Sequence, residues 1–204
     1  TFVNQFLTIV IKMIHFSTAK RVLKAYKEKF YKSPEYLVQA PGRVNIIGEH
    51  TDYNDGFVLP IAIDRVISIA FKTISESEIK LFSLDFDQYV SISLEENFVK
   101  NDGWQEYLKG LIKIYKKNGL KIQGWQGILA GNVPIGAGLS SSAALELAFS
   151  MAITSASNMK LEPKKMALLS QRAENEWIGV KCGIMDQMIS ALGKIDHALF
   201  LDCR

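Results

Sequence analysis

Residues 132–144 read NVPIGAGLSSSAA, a glycine-rich turn that passes into three serines and then a small-residue segment. Pattern and composition predict a strand over 124–130 before it and a helix over about 140–155 after it. In that setting the backbone N–H groups of Gly136, Gly138 and Leu139 can cradle phosphate oxygens. Glycine permits close approach, and a helix N-terminus carries unpaired donors with partial positive charge. Ser140, Ser141 and Ser142 add hydroxyl donors and a candidate magnesium ligand. Neither Walker A nor the dinucleotide fingerprint fits, because no Lys-Ser/Thr pair follows and the third glycine of GxGxxG is missing. A plain strand-to-helix turn with Ser140 as N-cap accounts for the same residues, so this stretch alone leaves both readings open.

Outward from it the chain alternates strands and helices. Ser17 can cap a helix reaching about Phe30, with Val22, Leu23, Tyr26 and Phe30 at helical spacing. A short strand over 36–40 is ended by Pro41-Gly42, and 57–72 reads as one or two strands with Pro60 at an edge or bend. Segments 79–84 and 89–94 alternate as a hairpin. Residues 104–117 carry Tyr107, Leu108, Leu111, Ile112 and Tyr115 on one helical stripe, stopped by Gly119. Pro163 opens a helix to about Trp177, another helix is predicted over 185–192, and a strand over 197–202 closes the chain. No repeat, low-complexity stretch or linker divides it. Mixed strands and helices in this order predict an α+β fold.

The 204 residues are 48% hydrophobic and 22% charged, the profile of a packed globular domain. The 24 basic and 21 acidic residues give a net charge of +3 and are scattered, so no basic block tracks a nucleic-acid backbone. Cys182 and Cys203 lie in no metal or disulfide spacing, and a reducing cytoplasm is the expected compartment. Residues 1–14, TFVNQFLTIVIKMI, are broken by Asn4, Gln5 and Lys12 and are too short to span a bilayer; no membrane association is expected. Because Met13 opens an ordinary-looking start, residues 1–12 are expected to be a non-native or disordered extension, with the domain running over 13–204.

Two further clusters stand out. Residues 42–53, GRVNIIGEHTDY, gather Arg43, Glu49, His50 and Asp52 between predicted strands. Carboxylates and imidazole can bind adjacent sugar hydroxyls while a guanidinium offsets phosphate charge. A solvated polar loop would use the same residue types, whereas a metal site is disfavoured by the absence of HExxH spacing. Residues 179–187, GVKCGIMDQ, place Asp186 at a helix start, where the dipole stabilises any carboxylate. Glu174 lies upstream on a predicted helix.

The run PxGxGLSSSA resembles the second conserved motif of the GHMP kinases, the family that includes galactokinase, homoserine kinase, mevalonate kinase and phosphomevalonate kinase. The stretch APGRVNIIGEHTDYNDGFVLP is similar almost letter for letter to the galactokinase signature, and CGIMDQ is similar to a third galactokinase segment. The resemblance implies an ATP loop at Gly136, Gly138, Leu139, Ser140, Ser141 and Ser142, with Ser142 and Glu174 contacting Mg²⁺. It assigns Glu49, His50, Asp52, Gly183 and Asp186 to galactose, and makes Asp186 and Arg43 the catalytic pair. The implied fold is the α+β amino-terminal domain of a GHMP kinase. The resemblance runs over 13–204 and covers the family's first half, so the carboxy-terminal domain is expected to be missing.

The implied reaction moves the γ-phosphoryl of ATP to the anomeric (C1) hydroxyl of D-galactose, with MgATP and D-galactose as the expected ligands. An N-acetylgalactosamine kinase shares most of the signature. A galactose and ATP sensor without catalysis is a second alternative, against which Ser142 and Ala143 of the SSSA run stand. An inactive fragment is the third.

Overall fold

The computed structural model describes residues 16–204, so the extension expected over 1–12 lies outside the described residues. The strands are β1 (Tyr36–Asn45), β2 (Phe57–Val58), β3 (Pro60–Thr73), β4 (Glu78–Ser83), β5 (Gln88–Ser93), β6 (Trp125–Gly131) and β7 (Leu201–Asp202). The helices are α1 (Phe16–Phe30), α2 (Gln105–Lys117), α3 (Ser141–Ala156), α4 (Pro163–Ala173) and α5 (Met185–Leu192). A five-stranded sheet has the order β1-β3-β6-β4-β5, and β2 pairs with β7 in a separate ribbon. Neighbours run antiparallel except β4 and β6, which are parallel. The hairpin β4-β5 and α2 together form the crossover that a parallel pair requires.

Strand alternation divides two cores. Ile69, Phe71 and Leu129 face α2, α3 and α4, whereas Ala70, Ile128 and Ala130 face Val22 and Tyr26 of α1. The larger core is anchored by fully buried Phe71 and Trp125, whose rings lie 5.2 Å apart. The sheet is thus covered on both faces, which keeps its loop ends fixed relative to one another. Among the described residues no helix is long and apolar enough to cross a membrane.

Several boundaries differ from the sequence-based expectation. β1 does not stop at Pro41-Gly42 but continues to Asn45 after a register shift: Pro41 pairs with Val66 and Arg43 with Ala62, so Gly42 alone in β1 opposes Ile63, Asp64 and Arg65, which bulge out of β3. Pro41 is tolerated because β1 is an edge strand, where a missing N–H breaks no interior ladder. Ser17 lies within α1, which already includes Phe16. The predicted helix from Pro163 to Trp177 ends as α-helix at Ala173 and continues over Glu174–Ile178 as a wider π turn. The predicted strand over 197–202 is confined to β7 plus one bridge between Ile61 and Ala198. A turn closes just before it, with His197 N donating to Lys194 O at 3.2 Å.

Candidate active site

The register shift between β1 and β3 sets Arg43. Its backbone N–H donates to the Leu139 carbonyl at 3.1 Å, joining the strand to the glycine–serine loop. A Cβ on Gly42 would lie 2.6 Å from that same oxygen, so the approach needs glycine there. From this position the guanidinium forks onto Asp186: Nε donates to Oδ1 at 2.8 Å and Nη2 to Oδ2 at 2.9 Å. Its Nη1 donates to the Gly138 carbonyl. The bidentate, charge-assisted geometry is one that lysine cannot reproduce.

Asp186 comes from the first turn of α5. One turn later Ser190 Oγ donates to the Pro41 carbonyl at 2.8 Å, so the same helix face is fastened to β1 twice. A third donor reaches Asp186 from α3: Ser140 Oγ lies 2.5 Å from Oδ2. Ser140 sits at the N-cap position in left-handed backbone (φ 57°, ψ 50°) and makes no side-chain cap bond. Its hydroxyl therefore serves the carboxylate and not the helix end, and its backbone carries the strain that left-handed geometry imposes on a non-glycine residue. A carboxylate offers about four acceptor sites, and those left after these bonds lie on Oδ1.

The galactose-signature loop reaches this centre through Asp52. Gly183, in the approach to α5, lies so close against it that a Cβ there would overlap Asp52 Oδ2. Burial raises the Asp52 carboxyl above its ordinary range, and the nearby negative charge of Asp186 adds to that. Glu49 and His50 stand further out and are exposed. Glu49 accepts a long bond from Asn45 Nδ2 at 3.4 Å, and His50 Nδ1 pairs with the Tyr53 hydroxyl. Thr51 ties the loop down, with Oγ1 2.8 Å from both the Gly48 and Phe57 carbonyls.

On the other side, Ser142 and Glu174 come near each other, close enough for the serine hydroxyl to favour the charged form of the carboxyl. Burial raises the Glu174 carboxyl, against the opposing effect of bonds from Cys182, Ser142 and Gln187. The π turn starts at Glu174, and its carbonyl receives the Gly179 N–H at 2.9 Å; such wide turns frequently mark functional sites. Among the described residues no group of three His, Cys, Asp or Glu side chains forms a metal cage. One hydroxyl and one carboxyl beside a phosphate loop nevertheless suit Mg²⁺, which takes few protein ligands and shares the phosphates. Gly136 (φ 74°) and Gly138 (φ 69°) form an exposed, left-handed turn in which neither Cβ position meets another atom within 4 Å. Ser141 opens α3 beside it.

Sequence reasoning did not single out Glu146, Gln187, Cys182 or Asn175. Glu146 is fully buried on α3, and burial together with the charge of Glu174 pushes its carboxyl well above the ordinary glutamate range. Asn175 Oδ1 accepts the Cys182 N–H at 3.0 Å, which holds the segment leading into α5. The Cys182 thiol is raised by burial and by Glu174, so it remains a protonated donor. The visible signal was a lone acid in the otherwise apolar run AALELAFS.

Residues 24–73 match the family model described as the galactokinase galactose-binding signature, and residues 106–194 match that of the GHMP kinases N terminal domain. A curated galactokinase of Roseiflexus sp. (strain RS-1) is 41% identical over 179 residues, covering 88% of this chain and 46% of the relative. The crystal structure of Lactococcus lactis galactokinase complexed with galactose has a TM-score of 0.82 at 34% identity, over 89% of this chain and 49% of that one. Methanococcus jannaschii mevalonate kinase shares the fold at a TM-score of 0.70 and 22% identity, over 82% of this chain and 53% of that one. The fold is that of a GHMP kinase amino-terminal domain. The chain belongs to the GHMP kinase family and, within it, to the galactokinases. It spans about half the length of the relatives it matches.

Proposed function

We propose that this chain supplies the sugar-binding and phosphate-binding walls of a galactokinase, which transfers the γ-phosphoryl of ATP to the anomeric hydroxyl of D-galactose. One observation carries the reading: the Arg43 fork on Asp186 sits between the glycine–serine loop and the Asp52–Gly183 contact. That is where a nucleotide's terminal phosphate and a sugar hydroxyl would have to meet.

In this mechanism Glu49, His50 and Asp52 bind sugar hydroxyls, and the close approach of Gly183 keeps Asp52 aimed at the sugar. The anomeric hydroxyl hydrogen-bonds to Asp186, whose Oδ1 retains acceptor capacity. As its oxygen forms the new bond to the γ-phosphorus, the O–H bond breaks and Asp186 accepts the proton. The bond from that phosphorus to the bridging oxygen breaks, and ADP leaves. Arg43 holds the carboxylate in line and offsets charge on the moving group, with the Ser140 hydroxyl on Asp186 beside it, while N–H groups of Gly136, Gly138, Leu139 and Ser140 and the hydroxyl of Ser141 face the phosphates. Ser142 and Glu174 would hold Mg²⁺, which when bound neutralises charge on the phosphate oxygens.

The test is magnesium-dependent ADP release with galactose, run on the 204-residue chain beside a protein that continues past Arg204. Galactose-dependent release supports the reading. Release with N-acetylgalactosamine in preference to galactose reassigns the substrate, and galactose binding without any ADP release overturns catalysis in favour of sensing.

A further inference from the structure

Beneath the phosphate loop a single buried amide stands between two acids. Gln187 Nε2 donates to Glu174 Oε2 at 2.7 Å and to Glu146 Oε2 at 3.1 Å. Gln187 and Glu146 are both fully buried, and Glu174 nearly so. Glu146 lies one helical turn beyond Ser142 on α3, so the helix presents both on one face. Gln187 follows Asp186 on α5, and Glu174 opens the π turn. One NH₂ group thus ties together the three elements that bear Ser142, Asp186 and Glu174.

In this orientation the amide N–H group faces both acids, and Gln187 Oε1 is buried without a hydrogen-bond partner. Rotating it by half a turn would point Oε1, an acceptor, at two carboxyl oxygens. Packing alone does not explain the arrangement, because an apolar side chain of similar volume would fill the space without burying an amide between acids. The shorter of the two bonds goes to Glu174, the residue beside Ser142.

We propose that Gln187, anchored on Glu146, is a positioning residue that holds the Glu174 carboxyl against Ser142 and so sets the affinity for a divalent metal–nucleotide pair. The inference rests on the reading of Ser142 and Glu174 as the metal-contacting residues. Groups that orient metal ligands typically change metal affinity by about 10–100-fold when removed.

The experiment measures equilibrium binding of Mn²⁺ in the presence of ADP by counting free Mn²⁺ with electron paramagnetic resonance, on the intact protein. Galactose binding and the melting transition are followed alongside. Gln187→Met keeps length and removes the donor; it is expected to weaken Mn²⁺–ADP binding about tenfold or more with galactose affinity unchanged. Glu146→Gln keeps an acceptor for the Gln187 amide and is expected to bind within about threefold of the parent, whereas Glu146→Met follows Gln187→Met. Parent-like binding by Gln187→Met overturns the proposal, as does a Glu146→Gln variant as impaired as Glu146→Met. Should Gln187→Met fail to fold, the Glu146 pair decides the same question. Glu174→Gln separates the two levels: parent-like Mn²⁺–ADP binding there overturns the metal reading and the positioning role together. Weak binding there with intact Gln187→Met overturns the positioning role alone.

Discussion

The Arg43–Asp186 clamp and the glycine turn at 136–138 are built in different ways, although they touch. Asp186 is held from three directions by Arg43 and Ser140, and its helix is fastened back to β1 through Ser190. The turn at Gly136 and Gly138, a few residues from Ser140, is exposed and meets nothing at either Cβ position. The carboxylate is thus enclosed by donors, whereas the turn is tied to the same clamp through the Gly138 carbonyl and is open at its Cβ positions. On the proposed function, the groups to be aligned for chemistry are the cross-linked ones, and those that would wrap phosphate are the more open ones.

Asp186 is where this contrast is most exposed to disproof. Asp186→Ala removes the proton acceptor and leaves Arg43 facing an empty clamp; kcat of the proposed reaction is expected to fall by about 10³–10⁴-fold. Galactose binding, followed by calorimetry, should largely persist because Glu49, His50 and Asp52 remain. Turnover close to that of the parent would show that the clamp is a structural ion pair and nothing more.

A smaller effect is expected on the sugar side. Gly183→Ala drives a Cβ into Asp52 Oδ2, closer than any ordinary contact allows. Either Asp52 or the start of α5 must move, at a cost of about 1–3 kcal/mol. If Asp52 yields, the galactose KM rises about tenfold with the melting temperature nearly kept; if α5 yields, kcat and stability fall together. Steady-state kinetics and thermal melts on one variant separate the two.

Buried acid beneath the centre gives a pH-dependent prediction. Because the Glu146 carboxyl is raised well above its ordinary range, it stays protonated in the folded chain at pH values where the unfolded chain has lost that proton. Above the unfolded value the native state holds more protons, so this group lowers stability as pH rises, by at most about 1.4 kcal/mol per pH unit until the folded value is reached. Glu146→Gln removes that slope. Its melting temperature should match the parent near pH ~4 and exceed it increasingly toward pH ~7, and a pH-independent difference would show that Glu146 is ionised in the fold.

Much of this was legible from local patterns. The hairpin β4-β5, the stripe of α2, the first-turn proline of α4 and the short α5 each express a period or a cap within a few residues. The three motif clusters were legible for the same reason, as Arg43, Ser140 and Asp186 each sit in a compact signature. What joins them was not. Pro41-Gly42 read as a strand end because nothing local shows that β1 is an edge strand, able to carry a proline past a register shift against β3. The π turn escaped because it occupies the last five residues before Gly179, too few to show a change of period in the sequence. Glu146 acquires its meaning only from Gln187, 41 residues later in the chain.

The smallest effect expected is also the one that tests the openness of the phosphate loop. At Gly136 φ is 74° and no atom stands within 4 Å of where a methyl group would sit, so Gly136→Ala changes backbone preference and little else. Left-handed backbone costs an alanine about 1–2 kcal/mol relative to glycine. Where that cost falls is the informative part. A loop already locked in this conformation must bear it in the ligand-free protein, lowering the melting temperature by a few degrees while ATP affinity is nearly kept. A loop that relaxes without nucleotide escapes the cost until phosphate orders it, so the melting temperature stays put and ATP binding weakens about tenfold. The exposure of the turn at Gly136 and the open space at its Cβ position favour the second outcome, although the Gly138 carbonyl is held by Arg43. Melting curves with and without nucleotide, set against ATP titrations of the same variant, separate them.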